Sequence, residues 1–378
     1  HVSVPAGTTT VDSSVTIETL RFNASGAAAV SIDGGVELRL NTLANDDSAG
    51  VLVTPNVGAN DVEIGGAGSF RHAAVNWGGS YAIHQYNEQG VLDISAKMTG
   101  RDNTNWGRRG LVKTGPGEAI LSNDGNTFKG TVYVYDGVLS ITSIADEGVA
   151  SAAGMDADNS GNDPKGVILG NGTLKYIGNG HSSNRKAQLW GHGTLEAAGS
   201  GLLHFTRTGE WMTDAVDTYN TLTLAGDGDG RIDGNINTGW GDLVKTGSGT
   251  WTLGGTNEYV GDTRIDAGTL ELLGRVNSDI TVGSNGTLAG NGRTRRDLHL
   301  DGTIRTDAAA SSPFNVQGAA YIDGATLEVT GSGQDITVLT ADDGIEGTFG
   351  SVNSPWILEY TATSVTATTP SGSLFMLL

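Results

Sequence analysis

Apolar residues alternate with polar ones in short runs along nearly the whole chain. Stretches such as 28–32, 36–40, 61–64, 90–94, 173–177, 193–197, 221–224 and 302–305 set Val, Ile, Leu or Ala between Thr, Ser, Asp and other polar residues. A period of two predicts strands with one buried face. Between the runs stand Asp33-Gly34, Asn171-Gly172, Asn285-Gly286, Asp301-Gly302 and Asp323-Gly324. These pairs tolerate positive φ and predict turns. No segment reads as a convincing helix. The best candidate, 143–153, is taken as the start of one long loop running on to Pro164.

Such strands suit either a hairpin-built sandwich or a solenoid. Two observations favour the solenoid. The strands are too short for deep two-sheet packing, yet they persist along the chain. A small phrase, x-Gly-x-Leu, also recurs and places Leu139, Leu174, Leu195, Leu270 and Leu288 just after a turn glycine. Stacked rungs of about 20–25 residues would line these leucines into a ladder.

A longer repeat carries more information. Residues 111–141 and 243–272 both open Leu-Val-Lys-Thr-Gly-x-Gly. Each continues with a short strand, an Asn-x-aromatic-x-Gly turn (Asn126, Phe128 and Gly130; Asn257, Tyr259 and Gly261), a second strand and x-Gly-x-Leu. These residues resemble the passenger-associated transport repeat of autotransporters. Later segments, 288–292, 298–304, 324–329 and 337–341, are similar to the terminal rungs of such passengers. The resemblance implies a right-handed parallel β-helix, all-β, exported to the cell surface or beyond, and it implies no catalytic residue. An autotransporter also carries a membrane β-barrel after these rungs. Its absence before Leu378 suggests a cleaved passenger or a stand-alone β-helix. The expected organisation is 1–110 as N-terminal rungs, 111–300 as the β-helix with both repeats, and 301–378 as C-terminal rungs with an apolar end.

Composition narrows the function. Glycine is 59 of 378 residues without a Gly-X-Y period, which excludes collagen. The formal charge is −20, so nucleic acid, which needs a basic surface, is not an expected partner. There are no cysteines, which removes disulfides, thiol catalysis and Cys-based zinc sites. No apolar run approaches the roughly 20 residues of a membrane helix. The chain begins at His1, consistent with removal of a signal peptide from a bacterial extracellular protein.

Candidate chemistry is sparse. Leu374, Phe375, Met376, Leu377 and Leu378 follow a Pro/Gly/Ser hinge. They read either as a last strand capping the solenoid or as a strand donated to a neighbouring copy, with Val2 and Val4 in the N-terminal strand as the other half of that contact. Head-to-tail contacts of this kind build filaments. Asp227, Asp229 and Asp233 have the alternation of a Ca²⁺ loop but no closing Glu, so rung turns are the plainer reading. The shorter run with Asp156 and Asp158 is similar. Ca²⁺ is therefore the one cation the sequence offers a place for, and no cofactor is required. Seven tryptophans read mainly as packing, with sugar stacking as the alternative, and the histidines read as surface or rung residues. The expected function is an extracellular structural or adhesive protein, self-associating and non-catalytic. A carbohydrate-binding or polysaccharide-cleaving β-helix, or a monomeric cleaved passenger adhesin, stands as the alternative.

Overall fold

A computed structural model describes the chain except for residues 42–47, 73–79, 101–108, 157–165, 215–218, 310–311, 333–334 and 370–378. Two compact units emerge, His1–Arg207 with Trp211–Ala215, and Thr208–Glu210 with Val216–Leu378. Each is built mostly from short parallel strands, and among the described residues the only helical element is a single 3₁₀ turn at Pro55–Val57.

In the first unit the chain visits three parallel sheets in turn. One contains Val2–Val4, Thr19–Phe22, Ser48–Val53, Ser80–Gln85, Arg109–Thr114, Thr131–Val134, Val167–Leu169 and Ala187–Leu189. The second runs from Gly7–Val11 through Ala28–Ile32, Val62–Gly65, Leu92–Ile94, Glu118–Leu121, Val138–Ile141 and Thr173–Tyr176 to Gly193–Ala197. The third stacks Val15–Ile17, Glu37–Leu40, Ser69–His72 and Lys97–Thr99. Parallel neighbours far apart in sequence, visited in a fixed order, make a parallel β-helix. Each rung cannot bury its own apolar face, so stacking supplies the core.

The pleat sets what points inward. Leu20 faces Val51, which faces Ile83, and the column continues through Lys113, Val134, Leu169 and Leu189. All of these are buried. The expected leucine ladder is present: Leu139 pairs with Leu174, and Leu174 with Leu195. In the second unit Trp251 meets Leu270, Leu270 meets Leu288, Leu288 meets Ile304, and Ile304 meets Leu327.

The second unit differs at its corners. Thr263–Leu272 and Ile280–Ala289 are long strands whose two halves pair with different neighbours, and the register between them slips between Ile265 and Ala267. Asn285-Gly286, expected as a turn, therefore lies inside a continuous strand opposite Ala267-Gly268. A bend absorbed by one extra residue keeps the ladder intact where a full turn would interrupt it. The third sheet here stacks Arg275–Val276, Arg293–Thr294, Phe314–Val316 and Ile336–Ala341 in parallel. It then reverses: Ser364–Thr368 and Ile357–Tyr360 join antiparallel. A hairpin thus covers the outgoing edge of Ile336–Ala341, the site where bare backbone would invite further pairing.

The described part of the expected long loop, 143–156, has no regular structure but is not a free loop. Ile144, Ala152 and Ala153 are buried. The Arg185 guanidinium binds it from inside, donating to the carbonyls of Ala153 (2.9 Å), Gly154 (2.6 Å) and Val149 (3.3 Å).

Candidate functional site

In Leu-Val-Lys-Thr the period of two puts Leu111 and Lys113 on one face, and likewise Leu243 and Lys245. Both lysines stand in otherwise apolar inward columns, Lys113 between Ile83 and Val134, Lys245 between Leu224 and Ile265. Both are fully buried. Each ammonium folds back on the turn that follows. Lys113 Nζ donates to the carbonyls of Thr114 (3.2 Å), Gly115 (2.7 Å) and Asp136 (3.0 Å). Lys245 Nζ donates to those of Thr246 (2.6 Å), Gly247 (2.9 Å) and Ala267 (3.1 Å). Burial pushes both amines down to about 8.

The other motif residues complete this cage. Gly115 and Gly247 sit at φ 79° and 71°, Gly137 and Gly268 at 64° and 67°. A Cβ on Gly268 would come within 2.3 Å of the Gly247 carbonyl and 2.8 Å of Lys245 Nζ. Asn126 is buried and links rungs, accepting from the Met98 N–H and donating to the Ala152 carbonyl. Asn257 does the same between the Ile236 N–H and the Arg275 carbonyl. Phe128 and Tyr259 are core residues. Thus the lysine, asparagine, aromatic and positive-φ glycine positions of the signature serve the architecture. Sequence reasoning missed the lysine clamps, although strict alternation after Leu111 and Leu243 already placed the lysines inward.

Among the described residues, the outward face of the first unit carries an aromatic platform of buried Tyr133, half-buried Tyr135 and exposed Trp190. Tyr133 lies in the strand Thr131–Val134, opposite Ile168, which in turn faces Gln188. Tyr135, Gly170 and Trp190 each follow directly on the in-register residues Val134, Leu169 and Leu189. Tyr133 and Tyr135 stack at 5.8 Å and 25°. Trp190 meets Tyr133 edge-on at 5.7 Å. Gly170 makes room: a Cβ there would strike the Tyr135 ring at 2.5 Å. Trp190 stays 46% exposed. Of the other tryptophans, Trp211, Trp251 and Trp356 are buried as packing predicts, Trp240 is exposed, and Trp77 and Trp106 lie outside the described residues.

A second outward feature is acidic. Glu63 and Asp93 are in register one rung apart, and with Asp61, Thr8 and Ile120 they line an open groove of about 410 Å³. Each carboxylate accepts a hydroxyl, Glu63 from Ser95 (2.7 Å) and Asp93 from Ser122 (2.6 Å). Burial, with a smaller push from the Glu63 charge, raises the Asp93 carboxyl above the ordinary range.

The aspartates singled out as cation ligands have separate partners. Asp227 accepts from the Ser248 N–H (3.1 Å) and hydroxyl (2.8 Å), which hold its carboxyl below the ordinary value. Asp229 accepts from the Thr250 N–H, and Asp233 pairs with Arg231 at 2.7 Å. Asp156 is buried, while Asp158 lies outside the described residues. Among the described residues no three His, Asp or Glu side chains converge as a metal ion would require. His72 is buried rather than superficial, and His84 meets the Thr114 hydroxyl at 2.6 Å. Val2 is exposed and Val4 is buried in the strand Val2–Val4; Leu374, Phe375, Met376, Leu377 and Leu378 lie outside the described residues.

The repeat that shapes these turns also appears in comparison with known proteins. Residues 111–141 and 243–272 match the passenger-associated transport repeat. The adhesin BmaC autotransporter of Brucella suis is 28% identical over 292 residues, 72% of this chain and 8% of that protein. An extracellular serine protease of Serratia marcescens is 30% identical over 156 residues, 30% of this chain and 15% of its own length. The autotransporter lipoprotein NalP of Neisseria meningitidis is 35% identical over 91 residues, 23% of this chain and 8% of its own length. The chain therefore spans a small part of each of these relatives. The chain thus carries two passenger-associated transport repeats and is similar over part of its length to autotransporter proteins, a likeness that implies a place at the cell surface or outside the cell. Among the described residues no helix is long and apolar enough to cross a membrane.

Proposed function

We propose that this domain is an adhesive, non-catalytic passenger segment that binds its target through the outward aromatic face of the first unit. The carrying observation is Trp190, exposed and braced edge-on by Tyr133, which itself stacks with Tyr135. Trp and Tyr supply large, rigid contact area at low entropic cost and dominate binding hot spots. The adhesin among the relatives supports the same direction. Surface glycans fit the platform because a sugar ring offers a flat C–H face to an aromatic one. The test is binding of the purified chain to a glycan array and to cultured cells. Trp190→Ala should abolish binding with the circular dichroism spectrum unchanged. Equal binding by wild type and variant would overturn the assignment of the face.

Self-association is a separate proposal, resting on the apolar run Leu374–Leu378 and on exposed Val2. It would add avidity to a weak single site. Deleting 374–378 should remove any polymer seen by sedimentation. Persistence of polymers would sink strand donation.

One observation favours a second reading, polysaccharide cleavage. Glu63 and Asp93 stand one rung apart in an open groove, and burial pushes Asp93 toward the protonated form. A carboxyl raised beside a second carboxyl group is what acid–base chemistry on a glycosidic bond uses. A reducing-end assay on acidic and neutral polysaccharides, with Asp93→Asn as control, decides it.

A further inference from the structure

The second unit holds a groove whose chemistry is opposite to that of the chain as a whole. On its third sheet the outward column reads Arg275, Arg293, Asn315 and Thr340, in register rung by rung. An isolated parallel bridge adds Thr256 on the other side of Arg275. These residues line an open cleft of about 470 Å³ together with Asn291, and among the described residues no carboxylate lines it. Its walls present guanidinium, carboxamide and hydroxyl groups, in a chain of formal charge −20.

The arginines are the informative pair. Adjacent parallel strands lie about 4.8 Å apart. Like charges directly opposite on neighbouring strands are destabilising. Arg275 has one counter-charge, Glu258 at 2.8 Å, on an exposed side chain. Arg293 is exposed, and among the described residues it makes no ion pair. A packed ladder would relieve such repulsion with an acid in the next rung, as Lys175 and Glu196 do elsewhere in the fold. Here the next rung carries Asn315, whose carboxamide donates to the Thr340 hydroxyl (3.0 Å) and brings no negative charge. An anion bridging the two guanidiniums would supply the missing charge. Paired oxygens of a carboxylate or a tetrahedral oxyanion match the guanidinium fork, and neighbouring amides and hydroxyls match sugar hydroxyls.

We propose that this cleft binds an acidic oligosaccharide, with a carboxylate or sulfate group held between Arg275 and Arg293. The site is independent of the aromatic platform and stands whether or not that platform is adhesive. Isothermal titration of the whole chain with three probes tests it: a heparin octasaccharide (sulfate), tetragalacturonate (carboxylate alone) and maltotetraose (neutral). At least one acidic probe should bind, with affinity falling as salt rises, and the neutral sugar should not. Which acidic probe binds identifies the anion. Arg293→Gln should weaken binding about tenfold or more. Glu258→Gln, which frees Arg275, should strengthen it. Arg295→Gln and Arg296→Gln remove the same charge nearby but outside the cleft, and should leave binding unchanged. Trp190→Ala should also leave it unchanged, which separates this site from the platform. The proposal is overturned if neither acidic probe binds at low salt, if maltotetraose binds equally, or if the Arg295 and Arg296 variants lose as much as the Arg293 variant.

Discussion

A buried ammonium is expensive unless every proton on it finds an acceptor. Lys113 and Lys245 meet that condition with three backbone carbonyls each, from the turn that follows and from the neighbouring rung. The lysine is therefore the bolt of a turn and not a surface charge. Lys245→Ala would leave the carbonyls of Thr246, Gly247 and Ala267 without their donor, a loss of about 1–3 kcal/mol. Urea unfolding should report it, and faster hydrogen exchange around Gly247 and Gly268 should localise it. A variant as stable as the parent would refute the clamp. The pH dependence has a defined sign. In the folded chain both amines are pushed down to about 8 from an ordinary 10.5. Between those values the unfolded chain binds more protons, so this contribution to stability rises with pH. Tyr81 and Tyr259 act oppositely: burial pushes their hydroxyls above the ordinary 10.0, so their contribution is lost as pH rises beyond it. The urea midpoint should thus climb from pH 8 toward 10. In the Lys113→Met, Lys245→Met double variant that climb should vanish.

At the scale of strands and turns, much was legible because the pleat has a strict period. The x-Gly-x-Leu phrase foretold the stacked Leu139, Leu174 and Leu195, since a leucine two residues past a turn glycine always faces the same way. The corner at Asn285-Gly286 was misread because a turn pair and a bulged strand demand the same permissive residues. The aromatic platform was not legible at all. Tyr135, Gly170 and Trp190 lie far apart in sequence, and only unequal loop lengths between rungs bring them onto one face. The same holds for Arg275 and Arg293. Gly170 offers a sharp test at this scale. Gly170→Ala must displace the Tyr135 ring, which lies 2.5 Å from the added carbon. Ligand binding at the platform should weaken while unfolding shifts by less than about 1–3 kcal/mol, the usual cost of overpacking. Unchanged affinity would show that Tyr135 takes no part.

At the scale of the molecule, the second unit ends its third sheet with a reversal of direction. Parallel stacking has no internal stop, because each rung offers the next an equivalent edge. The antiparallel pair Ser364–Thr368 and Ile357–Tyr360 supplies that stop on Ile336–Ala341. Alternation predicted strands here but carries no information on direction, so the reversal was hidden in the sequence. Deleting 357–368 should bare the edge of Ile336–Ala341 and turn a dispersed protein into one that aggregates, read by light scattering. A variant that stays dispersed would show that the edge is guarded by something else.

The lysine bolts have a use beyond stability. Burial pushes each of these amines down, so near neutral to mildly basic pH more of it is in the unprotonated, nucleophilic form than in an exposed lysine. Yet neither is reachable from solvent while its rung is closed. Treated with an amine-reactive ester, the intact domain should label its surface lysines at once and these two only when a rung opens. Mass spectrometry of Lys113 and Lys245 would then time the breathing of each repeat separately, with no probe added to the chain.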